Sequence, residues 1–406
     1  MFAAGLSGLV LAADVKASSE ERVSRYDLEP PTRHPGQNGP LTAAQQAMAA
    51  AAWKYFQNNF QEATCLYNSV DGYPSTTMWD TASAMAGLVA AFELELVDAP
   101  EFDRRMSCLL ASLNRMPLYQ GELPNKAYHT ISLEQVDYDN TPKEIGFSAI
   151  DLGRLLTWLA IVKERYPVYA EPVDRFVLRW NFCNLIDRGG TLYGALSTQD
   201  GGVVYLQEGR LGYEEYAATG FQLWDFNTEA ASRLGPKQKQ RMHGVAVTYD
   251  GRDPKEFGAH NYVVTEAFLL SGIELNWDKP DDATHSDLWL SDRAMHRLAK
   301  NVYKVQYKRW KDTGTLTART EHHVDGPPYF VYDTIYSDGV EWNTMTDTGQ
   351  QYPSSRRSRP RPRSASRSCS TRPTPRSSWR WCIRSSTPSG ASSRASTRRT
   401  AGASRR

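Results

Sequence analysis

The stretch 137–165, DYDNTPKEIGFSAIDLGRLLTWLAIVKER, carries the pattern that decides the fold. Its first part crowds the carboxylates Asp137, Asp139 and Glu144 and the ring of Tyr138 among Asn140, Pro142 and Gly146, residues that favour turns. From Ser148 to Arg165 the chain predicts a long helix. An acidic loop that runs into a helix can aim its carboxylates into a cleft. The plainer reading is a solvated loop and a capped helix, and for Asp151 that reading is preferred, because an acid in the first turn suits the helix dipole.

The same alternation recurs along the chain. Thr42 and Gln45 have capping-box spacing and open a helix that runs to about Phe60. Further helices are predicted over 81–97, 100–113, 213–223, 265–275 and 286–310, separated by loops rich in Gly, Pro, Asp and aromatic residues. Only 192–196 and 203–206 suggest strands, as one small β-hairpin. Long helices alternating with acidic, aromatic loops suit a mainly α fold, a toroid of helical hairpins in which inner helix ends surround a cleft. No internal repeat is evident, and such hairpins can be divergent.

The two ends read differently from this body. Residues 1–17 hold an apolar run, Phe2 to Ala13, and Val15-Lys16-Ala17, which resembles a cleavage site; the run is too short for a membrane span. A periplasmic or secreted location is expected from that signature. Residues 18–40 read as a Pro- and Gly-rich linker, and 41–352 as the toroid domain. Residues 353–406 form an Arg/Ser-rich tail in which 15 of the chain's 47 Lys and Arg fall, with no Asp or Glu after Ser354. The body therefore has 47 − 15 = 32 basic against 46 acidic residues, a net charge of −14. Nucleic acid is an unsuitable partner for so acidic a surface; a neutral or cationic polymer fits better. Shifting the frame of the tail, for one permitted codon choice, turns 358–365 into VSTKAAFG and 372–397 into a helix-like, aromatic sequence. The tail is thus expected to be out of frame, leaving the toroid incomplete at its C-terminus.

Cys65, Cys108 and Cys183 form no CxxC pair and are expected to pack separately as small apolar residues. No nucleotide-binding loop, dinucleotide fingerprint or serine-hydrolase elbow is present, and no cofactor is expected. Glu321, His322, His323 and Asp325 match no zinc spacing, so no metal is expected either.

Acids gather in a few places. In TTMWDTAS (76–83), Asp80 is either a sugar ligand or proton carrier, or a helix cap; Trp79 is either a stacking platform or core. In QEGRLGYEEYAA (207–218), Glu208, Glu214 and Glu215 sit with Arg210, Tyr213 and Tyr216. Adjacent glutamates on a helix face different ways, so at most one of Glu214 and Glu215 points inward. Glu266 follows Thr265 at a helix start, and Tyr329 and Trp342 lie in DGPPYFVYDTIYSDGVEWNTMTDTG (325–349).

Taken in order, TTMWDTAS, FSAIDLGRLL, EGRLGYEEYAA, DGPPYFVYDTIYSDG and EWNTMTDTG resemble the bacterial family called domain of unknown function 3131, over roughly Leu41 to Tyr352. That family is similar to six-hairpin (α/α)6 toroid glycosidases, which implies the fold and a poly- or oligosaccharide partner. The expected catalytic residues are Glu214, Glu208, Asp139 and Asp80, with Trp79, Arg210, Tyr213, Tyr216, Glu266, Tyr329 and Trp342 binding substrate. The expected activity is glycoside hydrolysis or glucan modification, which needs paired carboxylates. The competing expectation is a non-catalytic polysaccharide-binding or export accessory protein.

Overall fold

The computed structural model describes residues 40–252, 262–275, 288–324, 327–337, 339–346 and 352. The expected segments 1–17 and, but for Pro40, 18–40, and the tail with its proposed frame change, lie outside them.

Helix α1 spans Ala43–Asn58, α2 Met78–Glu93, α3 Ala99–Arg115, α4 Ala149–Arg165, α5 Ala170–Val177, α6 Tyr213–Gln222, α7 Glu229–Ser232, α8 Glu266–Leu275 and α9 Leu288–Thr313. The predicted capping box of α1 is formed, Thr42 and Gln45 each bonding the other's backbone N–H. The second helix begins earlier than expected because Thr77, not Asp80, is its N-cap: the Thr77 hydroxyl accepts from the Asp80 N–H at 3.1 Å.

Alternate helices form two layers. In the inner one α2 packs on α4, α4 on α6 and α6 on α8; outside, α1 and α3 lie on α2, α5 on α3 and α4, and α9 on α8. The residue patterns explain the division. Helix α3 buries Phe102, Met106, Leu109, Leu110 and Leu113 along one stripe and turns Arg104 and Arg115 outward, as a helix with one wet face must. Helix α6 is buried from Tyr213 to Phe221, as only an inner helix can be. This helix-rich, toroid-like arrangement agrees with the fold expected from sequence.

At the α4–α6 seam, backbone meets backbone. A Cβ added to Gly220 would lie 1.9 Å from the Gly153 carbonyl oxygen, and one added to Gly153 would lie 2.6 Å from that of Ala217. A buried polar cluster then ties all four inner helices. Arg154 of α4 pairs with Glu274 of α8 at 2.9 Å, the Tyr216 hydroxyl of α6 donates to the same carboxylate, and the Arg154 guanidinium lies 4.4 Å from the ring centre of Trp79 in α2. Such a cluster is costly to desolvate, and its directional bonds fix one mutual arrangement of the helices.

The strands are short: β1 Ser75–Thr77, β2 Leu118–Tyr119, β3 Leu123–Pro124, β4 Ala127–His129, β5 Gln135–Val136, β6 Gly146–Phe147, β7 Tyr193–Ser197, β8 Val203–Gln207, β9 Lys237–Met242, β10 Val245–Asp250, β11 Glu321–His323, β12 Phe330–Asp333, β13 Tyr336–Ser337, β14 Val340–Glu341 and β15 Thr344–Thr346. The expected hairpin is β7–β8, and β6 joins it immediately before α4. The other small sheets extend that expectation. The β9–β10 hairpin gave no apolar signal because β9 reads Lys-Gln-Lys-Gln-Arg-Met and is largely exposed.

The cysteines correct the sequence reading. Cys65, in the loop after α1, and Cys108, in the middle of α3, are joined by a disulfide with their Cα atoms 5.6 Å apart. They are 43 residues apart, so only the packing of that loop on α3 reveals them as partners. Among the described residues, no helix is long and apolar enough to cross a membrane.

Candidate active site at the N-terminal ends of the inner helices

Each inner helix begins beside the next, so their first turns share one neighbourhood. The Trp79 ring at the start of α2 lies 5.6 Å from that of Tyr213 at the start of α6. The Tyr213 hydroxyl donates at 2.7 Å to Glu266, the first residue of α8. The other oxygen of Glu266 accepts from the Thr320 hydroxyl at 3.3 Å. Asp80, in the first turn of α2, accepts from the Thr77 hydroxyl at 3.0 Å.

Glu208 follows β8 and crosses to the start of α4. Its carboxylate accepts from the Ser148 hydroxyl and from the Ile150 N–H, both at 3.0 Å. Both donors belong to the start of α4, so the carboxylate is fixed against that helix end. Gly194 of β7 leaves the space it occupies, since a Cβ there would fall 2.5 Å from the Glu208 Oε1.

Asp151 stands in that same first turn of α4 and keeps part of its surface open. Burial pushes its carboxyl up to about 7, and the Glu208, Asp80 and Glu321 carboxylates push it the same way against Lys126. These groups therefore act on one another across two helix starts, the segment after β8 and a strand. A carboxyl that keeps its proton beside a second carboxyl is what acid/base chemistry requires.

Strands β11 and β12 join the cluster through Glu321. Glu321 pairs with Tyr332 and His323 with Phe330, so these four share a face. Tyr332 stacks on Tyr262, ring centres 4.5 Å apart, and Arg210 donates to the Tyr262 hydroxyl at 2.9 Å. Among the described residues, no group of three or more His, Cys, Asp and Glu is placed to hold a metal.

Glu214, Trp342 and Asp139 lie in other surroundings. Glu214 turns to the α6–β10 corner, where it accepts from Arg252 and from Gln207, each at 2.8 Å; Arg252 also pairs with Asp250 at 2.5 Å. Glu215 accepts the N–H of the N-cap Gly212 at 2.6 Å, and burial raises its carboxyl to about 7. Trp79, Tyr213 and Tyr216 are brought together, but all are buried. Trp342 packs elsewhere, under Arg309 at 4.3 Å and beside His243. Asp139 is exposed on its loop and bonds the Tyr329 hydroxyl. The sequence reading passed over Asp151 as a helix-stabilising acid and left out Tyr262 and Tyr332; only their neighbours from distant segments mark them.

The fold is a helix-rich, toroid-like one, with a carboxylate cluster at the starts of its inner helices. The chain belongs to the protein family of unknown function DUF3131, whose family model matches residues 47–366. A search of curated proteins found no match. Among solved structures, a provisionally named glucoamylase from Bacteroides uniformis is similar at 9% identity, with a TM-score of 0.52 over 71% of this chain and 73% of that one. An endo-β-1,2-glucanase from Chitinophaga pinensis aligns at 11% identity and TM-score 0.48, over 73% of this chain and 75% of its own.

Proposed function

We propose that this chain is an exported glycoside hydrolase or glucan-modifying enzyme of the (α/α)6 type, working at the N-terminal ends of its inner helices. Asp151 is the proton donor and Glu208 the second catalytic carboxyl, with Asp80, Glu266 and Glu321 positioned for sugar hydroxyls. The observation that carries this reading is the placement of the two first-named carboxyls at one helix start. Glu208 is held by two donors at the start of α4, while burial and three neighbouring carboxylates keep Asp151 protonated up to about 7. Cleavage of a glycosidic bond needs two carboxyls, one of which donates a proton. The acidic body and the carboxylate-rich site favour a neutral glucan.

The Cys65–Cys108 disulfide supports export, since such bonds persist in oxidising compartments. Peptide mapping of the unreduced native protein should recover Cys65 and Cys108 as one linked pair, whatever the state of Cys183, Cys369 and Cys382; both residues alkylated without reduction would remove that support.

The activity is tested by measuring reducing ends released from β-1,2-, β-1,3- and α-1,4-glucans by the native chain and by Glu208→Gln. One glucan should be cleaved, and the substitution should slow its cleavage by about 10²–10⁴-fold. Full activity in the variant would exclude Glu208. Glucan binding without turnover by the native chain would favour the accessory, non-catalytic role instead.

A further inference from the structure

We propose a second sugar-binding subsite at the rim of the carboxylate cluster, formed by Tyr73, Tyr138, His323 and Phe330, which takes a further pyranose unit of a neutral glucan chain. The proposal rests on the reading of the cluster as a glucan-processing site and extends it from one bond to a run of sugars.

The rings come from three separate segments and meet. Tyr138 and Phe330 have ring centres 5.2 Å apart, and His323 lies 5.9 Å from both Phe330 and Tyr73. All four are half-buried, unlike the rings beneath the cluster, so each keeps surface to offer. The arrangement is held by backbone. The Tyr73 hydroxyl donates to the Tyr138 carbonyl at 3.0 Å. The Asp137 carboxylate accepts the N–H groups of Asp139 and Thr141, both at 3.0 Å, which forms the turn presenting Tyr138.

Strand register joins this rim to the proposed chemistry. Glu321 and Tyr332 sit opposite each other beside Asp151 and Tyr262, and His323 and Phe330 are the next pair on the same face. Two residues advance about 6.8 Å along a strand, so the face leads outward from carboxylate to aromatic surface. Rings with apolar faces and polar edges suit the C–H faces of a pyranose, and Asp139 at the edge can accept from its hydroxyls.

The test is calorimetric titration of the full chain with the β-1,2-linked glucose disaccharide and pentasaccharide, and with maltose and maltopentaose. The native protein should bind one pentasaccharide about tenfold more tightly than its disaccharide. Phe330→Ala should lose most of that gain and leave disaccharide affinity within about twofold. Phe330→Leu, which keeps apolar volume in β12, should do the same with an unchanged melting curve, and Tyr138→Phe should retain the gain. A native protein that binds without length dependence, or variants that keep the gain or weaken both lengths equally, would overturn the subsite alone. No binding of any probe by the native chain would overturn both this proposal and the enzyme reading beneath it.

Discussion

Glu208 and Glu214 stand on one short segment and meet opposite electrical surroundings. Around Glu214 the positive charge of Arg252 lies at 2.8 Å and Gln207 satisfies the second oxygen, so the corner between α6 and β10 is internally neutralised. Around Glu208 a hydroxyl and a helix N-terminus hold the carboxylate, and Asp151 beside it also feels the Asp80 and Glu321 carboxylates. Acid density in a sequence does not separate the two. Compensated charge maintains a fold, whereas charge left in mutual conflict, which costs stability, is retained where it does chemistry.

Substitution at Asp151 tests the contrast hardest. Asp151→Asn should lower turnover by about 10²–10⁴-fold without lowering the melting temperature. Because its carboxyl is raised from 3.8 to about 7, the folded state holds the proton more tightly than the unfolded one, and stability falls as pH rises between those values. The variant should lose that part of the slope in pH-dependent melting. In the native enzyme the rate should decline above about 7, where the donor is deprotonated; an unaltered profile in Asp151→Asn would assign the proton to another group.

Gly194→Ala should come next. The added methyl would displace the Glu208 carboxylate from Ser148 and Ile150, and a shift of about 1 Å can cost up to about 10²-fold in rate. Unchanged kinetics would show that the seat of Glu208 is unimportant.

Glu214→Gln should behave in the reverse sense. We expect a loss of about 2–3 kcal/mol in denaturant unfolding, because a buried pair is broken while Asp250 still holds Arg252, and activity per folded molecule within a few fold. A large loss of turnover with full stability would move the chemistry to the corner. The smallest effect belongs to Thr77→Val, which removes the α2 cap at a cost of about 1 kcal/mol. A rate loss beyond that of the melting change would identify Asp80, which this hydroxyl holds, as a participant.

Legibility followed the range of the interactions. The α1 capping box, the Ser148 start of α4 and the β7–β8 hairpin depend on neighbours in sequence, and each was readable. The disulfide, the Arg154–Glu274 pair and the identity of Trp342 as a partner of Arg309 depend on segments far apart, and none was. Asp151 lies between these cases: its place in a first turn was evident, and that local sufficiency concealed the three distant carboxylates that alter its proton affinity.

The glycine seam between α4 and α6 has one more consequence. With no side chain interposed at Gly153 and Gly220, the spacing between these two helices is a calliper set by peptide thickness, and substitutions elsewhere in the core cannot gradually widen it. Relatives would then diversify by exchanging the loops that roof the site, while the rigid gauge beneath keeps its setting.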